Sequence, residues 1–146
     1  MDLSGLKWPI IIVVVVAIGW LMTSGGVNYM IKNFTKAQVG ADPERDKIDE
    51  AGLSRVSNYL ILTFQYGKCA DVLNLVLDRY GEAGPNYWNN LSRLSACYEE
   101  MGEYQKAKDI IDQLVRVNAH ELDERVPNID ALSLRANKLT ELHELQ

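Results

Sequence analysis

The sequence is poor in the residues that build catalytic and metal centres. It has two histidines and two cysteines among 146 residues, and none of them falls at the spacing of metal ligands. No glycine-rich stretch is followed by the Lys-Ser/Thr pair of a phosphate-binding loop. The acidic pair Glu99 and Glu100 points in two directions on one helix, which does not suit general acid–base catalysis. We therefore expect no enzyme, and no catalytic, cofactor-binding or metal site.

Charge is missing from one end of the chain. Residues 8–31 contain no Asp, Glu, Lys or Arg, although 24% of the chain is charged. At about 1.5 Å per helical residue, this stretch is long enough to cross a hydrocarbon core of roughly 30 Å. We predict a flank at 1–7, a single transmembrane helix at 8–31 and a juxtamembrane linker at 32–52, with room for one short helix over 43–51. A shorter span over 9–22 is an alternative, because residues 23–28 are weakly apolar and suit a partly interfacial turn. A cleaved signal peptide is the alternative, but no A-x-A motif follows the apolar run.

Two features of this leader bear on its surroundings. Gly19 and Thr23 form a small-xxx-small pair, a candidate contact for another helix in the membrane. Four basic residues follow the span closely and only Lys7 precedes it, which favours a cytoplasmic body. A periplasmic or luminal body is the alternative, because acidic residues are interleaved with the more distant basic ones.

The rest of the chain is acidic and helical in pattern. After residue 40 there are 12 basic and 19 acidic residues, which excludes a body built to bind nucleic acid. Apolar residues recur at steps of three and four, and Gly67 and the stretch 81–85 break the pattern. Gly67 and Gly102 lie 35 residues apart, and the residues around them match in part. The chain therefore contains an internal repeat of two helical hairpins.

Residues 88–119 resemble the tetratricopeptide repeat (TPR) family. The string YEEMGEYQKAKDII at 98–111 carries the resemblance, because Gly102 suits the turn between two helices and Ala107 their close crossing. The resemblance extends more weakly upstream to residue 53. It implies an all-α, TPR-like domain at 53–146, with about two repeats and a final helix that covers the open end. That last helix is predicted from apolar residues at positions 129, 132, 136, 139 and 142.

The resemblance also implies a concave surface that binds protein segments. Its candidate lining residues are Asn58, Asn89, Asn90, Ser92, Arg93 and Ala96. The positions at which some family members hold a C-terminal carboxylate are Ser57, Ile61 and Arg93 here. Only Arg93 suits that role, so a clamp for a C-terminal carboxylate is not expected. The negative charge of the body favours a basic or neutral partner.

The two cysteines fall at the same level of two antiparallel helices if the turn between them centres near Ala83. A disulfide between Cys69 and Cys97 would need an oxidising compartment, which conflicts with the distribution of basic residues. Two buried free thiols are the alternative, and the one we favour.

These features lead to two functional expectations. The first is a membrane-anchored, single-pass scaffold or adaptor whose TPR-like body binds or assembles partner proteins. The second is a small accessory subunit of a larger membrane protein complex, held mainly through its transmembrane helix. Both place the chain in a membrane with protein partners, and neither involves nucleic acid or a small-molecule substrate.

Overall fold

The computed structural model describes residues 4–145, with side chains from Lys7 onward. Within these residues the chain is entirely helical and has no strand, which confirms the all-α prediction. Residues 1–3 of the predicted flank and residue 146 of the predicted body lie outside the described residues. The helices are α1 (Ser4–Leu21), α2 (Ser24–Phe34), α3 (Pro43–Leu62), α4 (Tyr66–Tyr80), α5 (Tyr87–Glu100), α6 (Tyr104–Arg116), α7 (Ala119–Leu122) and α8 (Ile129–His143), with a 3-10 turn at Gly81–Ala83.

The leader is two helices with a sharp bend between them, where the sequence predicted one helix over 8–31. The axes of α1 and α2 differ by 78°. Thr23 makes the break: its hydroxyl donates to the Trp20 carbonyl (2.6 Å) and accepts from the Gly26 amide (3.3 Å), capping α2. Gly26 packs against the backbone of Trp20 and Leu21, where a Cβ atom would clash. Within the described residues, no individual helix meets the length and hydropathy needed to span a bilayer, whereas the bent pair meets them jointly.

Helix α2 packs on α3, and the predicted linker at 32–52 is helical except for residues 35–42. The short helix expected over 43–51 is the first part of α3, which continues without a break into the body. Val27 is fully buried, and the ring of Phe34 packs directly over Gly52. Helix α3 starts at Pro43 because the Asp42 carboxylate accepts hydrogen bonds from the amides of Glu44 and Arg45. The body therefore begins about ten residues before the predicted boundary at residue 53.

The body is a consecutive stack of helices. Helices α3 and α4 form one hairpin, α5 and α6 form the next, and α8 packs on α6 at the end of the stack. Asn128 caps α8 through a hydrogen bond from the Ala131 amide (2.9 Å). Of the five apolar positions predicted for the covering face of α8, the structure buries Leu132, Ala136 and Leu139 and leaves Ile129 and Leu142 exposed.

The two hairpins are related by an offset of 38 residues, not the 35 that the glycines suggest. At this offset LSRVS at 53–57 matches LSRLS at 91–95, and Tyr66 and Tyr104 each begin a second helix. Buried Leu73 corresponds to buried Ile111. The turn positions are Phe64 (φ 58°) and Gly102 (φ 78°), both in the left-handed region. Gly67, which the shorter offset pairs with Gly102, lies inside α4 and makes no turn.

Candidate functional site

A polar groove lies between the first helices of the two hairpins. It has a volume of about 450 Å³ and is lined by Ala51, Ser54, Arg55, Asn58, Asn86, Asn89, Arg93 and Arg125. Three of these residues are arginines and three are asparagines. None of these lining residues is Asp or Glu, although the chain as a whole carries 20 acidic residues and a net charge of −5. The groove is thus a basic, amide-lined surface on an acidic protein.

The structure places half of the predicted lining residues in this groove. Asn58, Asn89 and Arg93 line it. Asn90 and Ser92 are buried, at 1% and 8% exposure, and face the helix packing instead. Ala96 is half-buried on α5, two turns of helix beyond Asn89, and does not line the groove.

Arg93 holds the two hairpins together at the base of the groove. One terminal nitrogen donates to Ser54 Oγ (3.1 Å), and the other donates to the Ser54 carbonyl (3.1 Å) and to Ser57 Oγ (2.9 Å). Its Nε is buried and has no hydrogen-bond partner within residues 4–145. Burial lowers the pKa of the guanidinium, which nevertheless stays charged at neutral pH. Arg93 therefore joins α5 to α3 and adds positive charge to the groove.

Arg125 closes one end of the groove from the loop before α8. Its Nε and a terminal nitrogen each donate to the Asp123 carboxylate at 2.8 Å, and a second terminal nitrogen donates to Asn86 Oδ1 (2.7 Å). These hydrogen bonds lower the pKa of Asp123. The loop is thereby fixed against the start of α5, and the negative charge of Asp123 is paired with the guanidinium of Arg125.

Glu50 lies beneath this end of the groove. It is 2% exposed and accepts hydrogen bonds from the backbone amide of Asn86 (3.1 Å) and the side chains of Asn86 and Asn90. Burial raises its pKa, and the hydrogen bonds from Asn86 only partly oppose that effect. Glu50 therefore orients two asparagines and presents no carboxylate to the groove surface.

Sequence reasoning did not identify Arg55, Asn86 and Arg125 as groove residues. Arg55 was identifiable, because the repeated LSR triplet puts it at the position of Arg93 in the preceding hairpin. Arg125 carried no such signal, since it reaches the groove from a loop that is distant in sequence and is fixed by Asp123 and Asn86.

The predicted helix contact and the cysteine pair lie elsewhere. Gly19 is on an open face of α1, while Thr23 sits in the bend after α1 has ended, so the two do not form one helical face. Cys69 and Cys97 are buried free thiols whose sulfur atoms are 3.0 Å apart. Contact with Cys97 and burial raise the pKa of the Cys69 thiol.

Comparison of the chain with protein-family models, with curated proteins and with solved structures finds no match.

Proposed function

We propose that the chain is a membrane-anchored, non-enzymatic scaffold whose TPR-like body binds a segment of a partner protein in the basic groove. The observation that carries the proposal is the separation of charge between the groove and the rest of the molecule. A surface with three arginines and three asparagines on an acidic body favours a partner segment with carboxylates. This differs from the basic or neutral partner that overall charge favours.

The asparagines and arginines have separate roles in this proposal. Asn58 and Asn89 offer side-chain amides that can both donate to and accept from the backbone of an extended segment. Arg55 is exposed on α3 and meets the segment's carboxylates first. Arg93 is already fixed by Ser57, so it contributes charge without losing conformational freedom on binding. Arg125 is paired with Asp123, which offsets its charge, and its role is to hold Asn86 in position.

The anchor in this proposal is α1. Its apolar side chains are exposed on every face, with Trp8 at 70%, Val13 at 67% and Trp20 at 50% exposure. Among the elements that the structure describes, α2 is the principal neighbour of α1. A helix with apolar residues on all faces suits a lipid environment, because in water it would leave a large apolar surface unburied.

The accessory-subunit function remains a second proposal. It is favoured by the open surface around Gly19, where nothing lies within 4 Å of a Cβ position and another helix can approach closely. In that case α1 is the main contact with the complex and the groove contributes little.

Crosslinking from the groove in native membranes tests the proposal. A photo-reactive amino acid replaces Asn58 in the full chain, and the matched control replaces exposed Lys138 on α8. We expect partner crosslinks from position 58 that a Glu-rich peptide suppresses and a Lys-rich peptide does not. Equal crosslinking from position 138, or suppression by the Lys-rich peptide, contradicts the groove proposal.

A second variant separates the two proposals. Helix α1 is replaced by an unrelated apolar helix of the same length, which keeps the chain in the membrane. The scaffold proposal expects the crosslinks from position 58 to persist. Their loss, together with loss of co-purification in mild detergent, supports the accessory subunit.

A further inference from the structure

The turn between α3 and α4 exposes two large apolar side chains. Leu62 is 70% exposed and Phe64 is 77% exposed, the highest exposure among the large hydrophobic residues that the structure describes. Phe64 also has a φ of 58°, in the left-handed region that residues other than glycine rarely adopt. The ring of Tyr66 packs edge-on against the Phe64 ring, with centroids 6.2 Å apart.

The equivalent turn of the second hairpin shows which residue suits this backbone conformation. Its equivalent position is Gly102, which adopts the left-handed conformation without steric cost. A phenylalanine at this point strains the backbone and exposes an aromatic ring to solvent. Backbone strain is often retained at positions with a functional role. We therefore infer that the Phe64 side chain contacts something outside this chain.

The end of α3, just before the turn, contacts the end of α1. Tyr59, in the last turns of α3, donates a hydrogen bond from its hydroxyl to the Met22 carbonyl (3.2 Å). The same ring lines a small cavity with Ile18, Leu21 and Met22. Leu62 is one helical turn beyond Tyr59 and Phe64 follows two residues later, so the turn comes directly after the part of α3 that contacts α1.

The chemistry of this region also matches a bilayer interface. Residues 56–67 contain no Asp, Glu, Lys or Arg, and this is the longest uncharged run outside 8–31. It includes Tyr59 and Tyr66, and tyrosine is enriched where membranes meet water. Phenylalanine and leucine are among the residues that face the lipid in segments lying at this interface. The turn of the second hairpin instead carries Glu99, Glu100 and Glu103, as expected for a turn in water.

We propose that the α3–α4 turn is a second membrane contact, in which Leu62 and Phe64 enter the interfacial layer of the bilayer beside α1. This inference rests on the proposed anchoring of α1. The bilayer is the occupant that the uncharged run and the contact of Tyr59 with α1 favour over a protein surface. Two contacts, α1 and this turn, fix the orientation of the body, and with it the groove, relative to the membrane.

Spin labels at single positions in the full chain test the proposal. Three variants are made, each with one introduced cysteine: Phe64→Cys, Val15→Cys and Met101→Cys. Because the native cysteines are buried, labelling under native conditions modifies only the introduced one. Each labelled chain is placed in vesicles of phosphatidylcholine and phosphatidylglycerol, and the collision of the label with oxygen is compared with its collision with a water-soluble nickel chelate. Met101 is the matched control, because it lies in the turn of the second hairpin and is also exposed.

We expect oxygen to dominate at positions 15 and 64 and the nickel chelate to dominate at position 101. Lipid exposure at 15 with aqueous exposure at 64 overturns this inference and leaves the anchor standing. Aqueous exposure at both positions overturns the anchor as well. Lipid exposure at 101 also overturns the inference, because the body would then lie on the membrane without a specific contact through the α3–α4 turn.

A second measurement uses a label at Leu62→Cys. Adding Phe64→Glu places a charge in the turn while leaving the cores of both hairpins intact. We expect the ratio of oxygen to nickel accessibility at position 62 to fall several-fold. An unchanged ratio contradicts insertion of the turn.

Discussion

The sulfur atoms of Cys69 and Cys97 lie 3.0 Å apart and join the second helix of one hairpin to the first helix of the next. Cys69 also donates a hydrogen bond to the Ser57 carbonyl (3.4 Å), so the pair sits against α3 as well. Three helices therefore meet at two thiols. The antiparallel register deduced from the sequence placed these cysteines at the same level, and the structure has them in contact as free thiols.

Both thiols should resist modification in the folded protein. Both are buried, which keeps a reagent from reaching either sulfur atom. The pKa of Cys69 is also raised by its contact with Cys97 and by burial, whereas the hydrogen bond with Cys69 lowers the pKa of Cys97, so burial alone protects Cys97. We expect slow labelling of the folded chain by a maleimide and labelling of two thiols per chain after denaturation without reductant. Mass spectrometry counts the labels, and a chain that takes none until it is reduced would show a disulfide instead.

Arg93→Ala should lower both stability and partner binding. Removing the guanidinium takes away the hydrogen bonds that Arg93 donates to the hydroxyls of Ser54 and Ser57 and to the Ser54 carbonyl, which keeps only the bond from Ser57 Oγ. We expect a cost of about 1–3 kcal/mol in the free energy of unfolding. The matched control is Arg55→Ala, at the equivalent position of the first hairpin but exposed to solvent. It should change stability by less than about 0.5 kcal/mol and still weaken partner binding.

Chemical denaturation in detergent measures the stability difference, and crosslinking from position 58 measures binding. If Arg55→Ala destabilises the body as much as Arg93→Ala, the assignment of Arg93 as the residue that joins the hairpins is incorrect.

Glu50 should make the body less stable as the pH rises above the ordinary glutamate range. Its pKa in the folded state is raised above 4.5 by burial, so the folded chain holds a proton that the unfolded chain has already released. The stability that this proton contributes is complete below the ordinary pKa and is lost as the pH rises through the folded-state pKa. Unfolding measured at a series of pH values should show this decline.

Glu50→Gln should remove that part of the pH dependence, while exposed Glu124→Gln should retain it. An identical slope in Glu50→Gln and the unsubstituted chain would mean that the Glu50 pKa is not raised by folding.

Phe64→Gly should leave the body as stable as before or raise its free energy of unfolding by up to about 1 kcal/mol. Glycine relieves the left-handed strain, although it increases the entropy of the unfolded chain by a comparable amount. The opposite result, a marked loss of stability measured by thermal unfolding in detergent, would mean that the ring packs in the body. Phe34→Ala provides the contrast, because that ring packs on α3 and its loss should destabilise.

Local sequence predicted the second hairpin well. Helix α5, Gly102 and helix α6 follow from short-range preferences, and the turn glycine has the conformation that its sequence position indicates. The first hairpin was harder because Phe64 occupies a conformation that local preference assigns to glycine. Local sequence therefore indicates Gly67 as the turn residue of the first hairpin and matches it with Gly102. This aligns the two hairpins three residues out of register.

The leader and the groove were predictable only in part, for different reasons. An uncharged run predicts one continuous helix. The bend arises because Thr23 caps a new helix and Gly26 packs closely against the end of α1. The groove depends on which face of each helix is buried. Asn90 and Asn89 are adjacent in sequence, yet only Asn89 lines the groove, because Asn90 is bound to Ser54 and Glu50.

The 78° bend after α1 has a mechanical consequence for a chain anchored as proposed. Helix α2 leaves α1 almost at a right angle, and Tyr59 ties the end of α3 to the same point. Rotation of α1 about its own axis therefore swings the whole body sideways over the membrane. Pairing of α1 with another helix would set the direction, within the plane of the membrane, in which the groove opens. The distance of the groove from the lipid surface would stay constant.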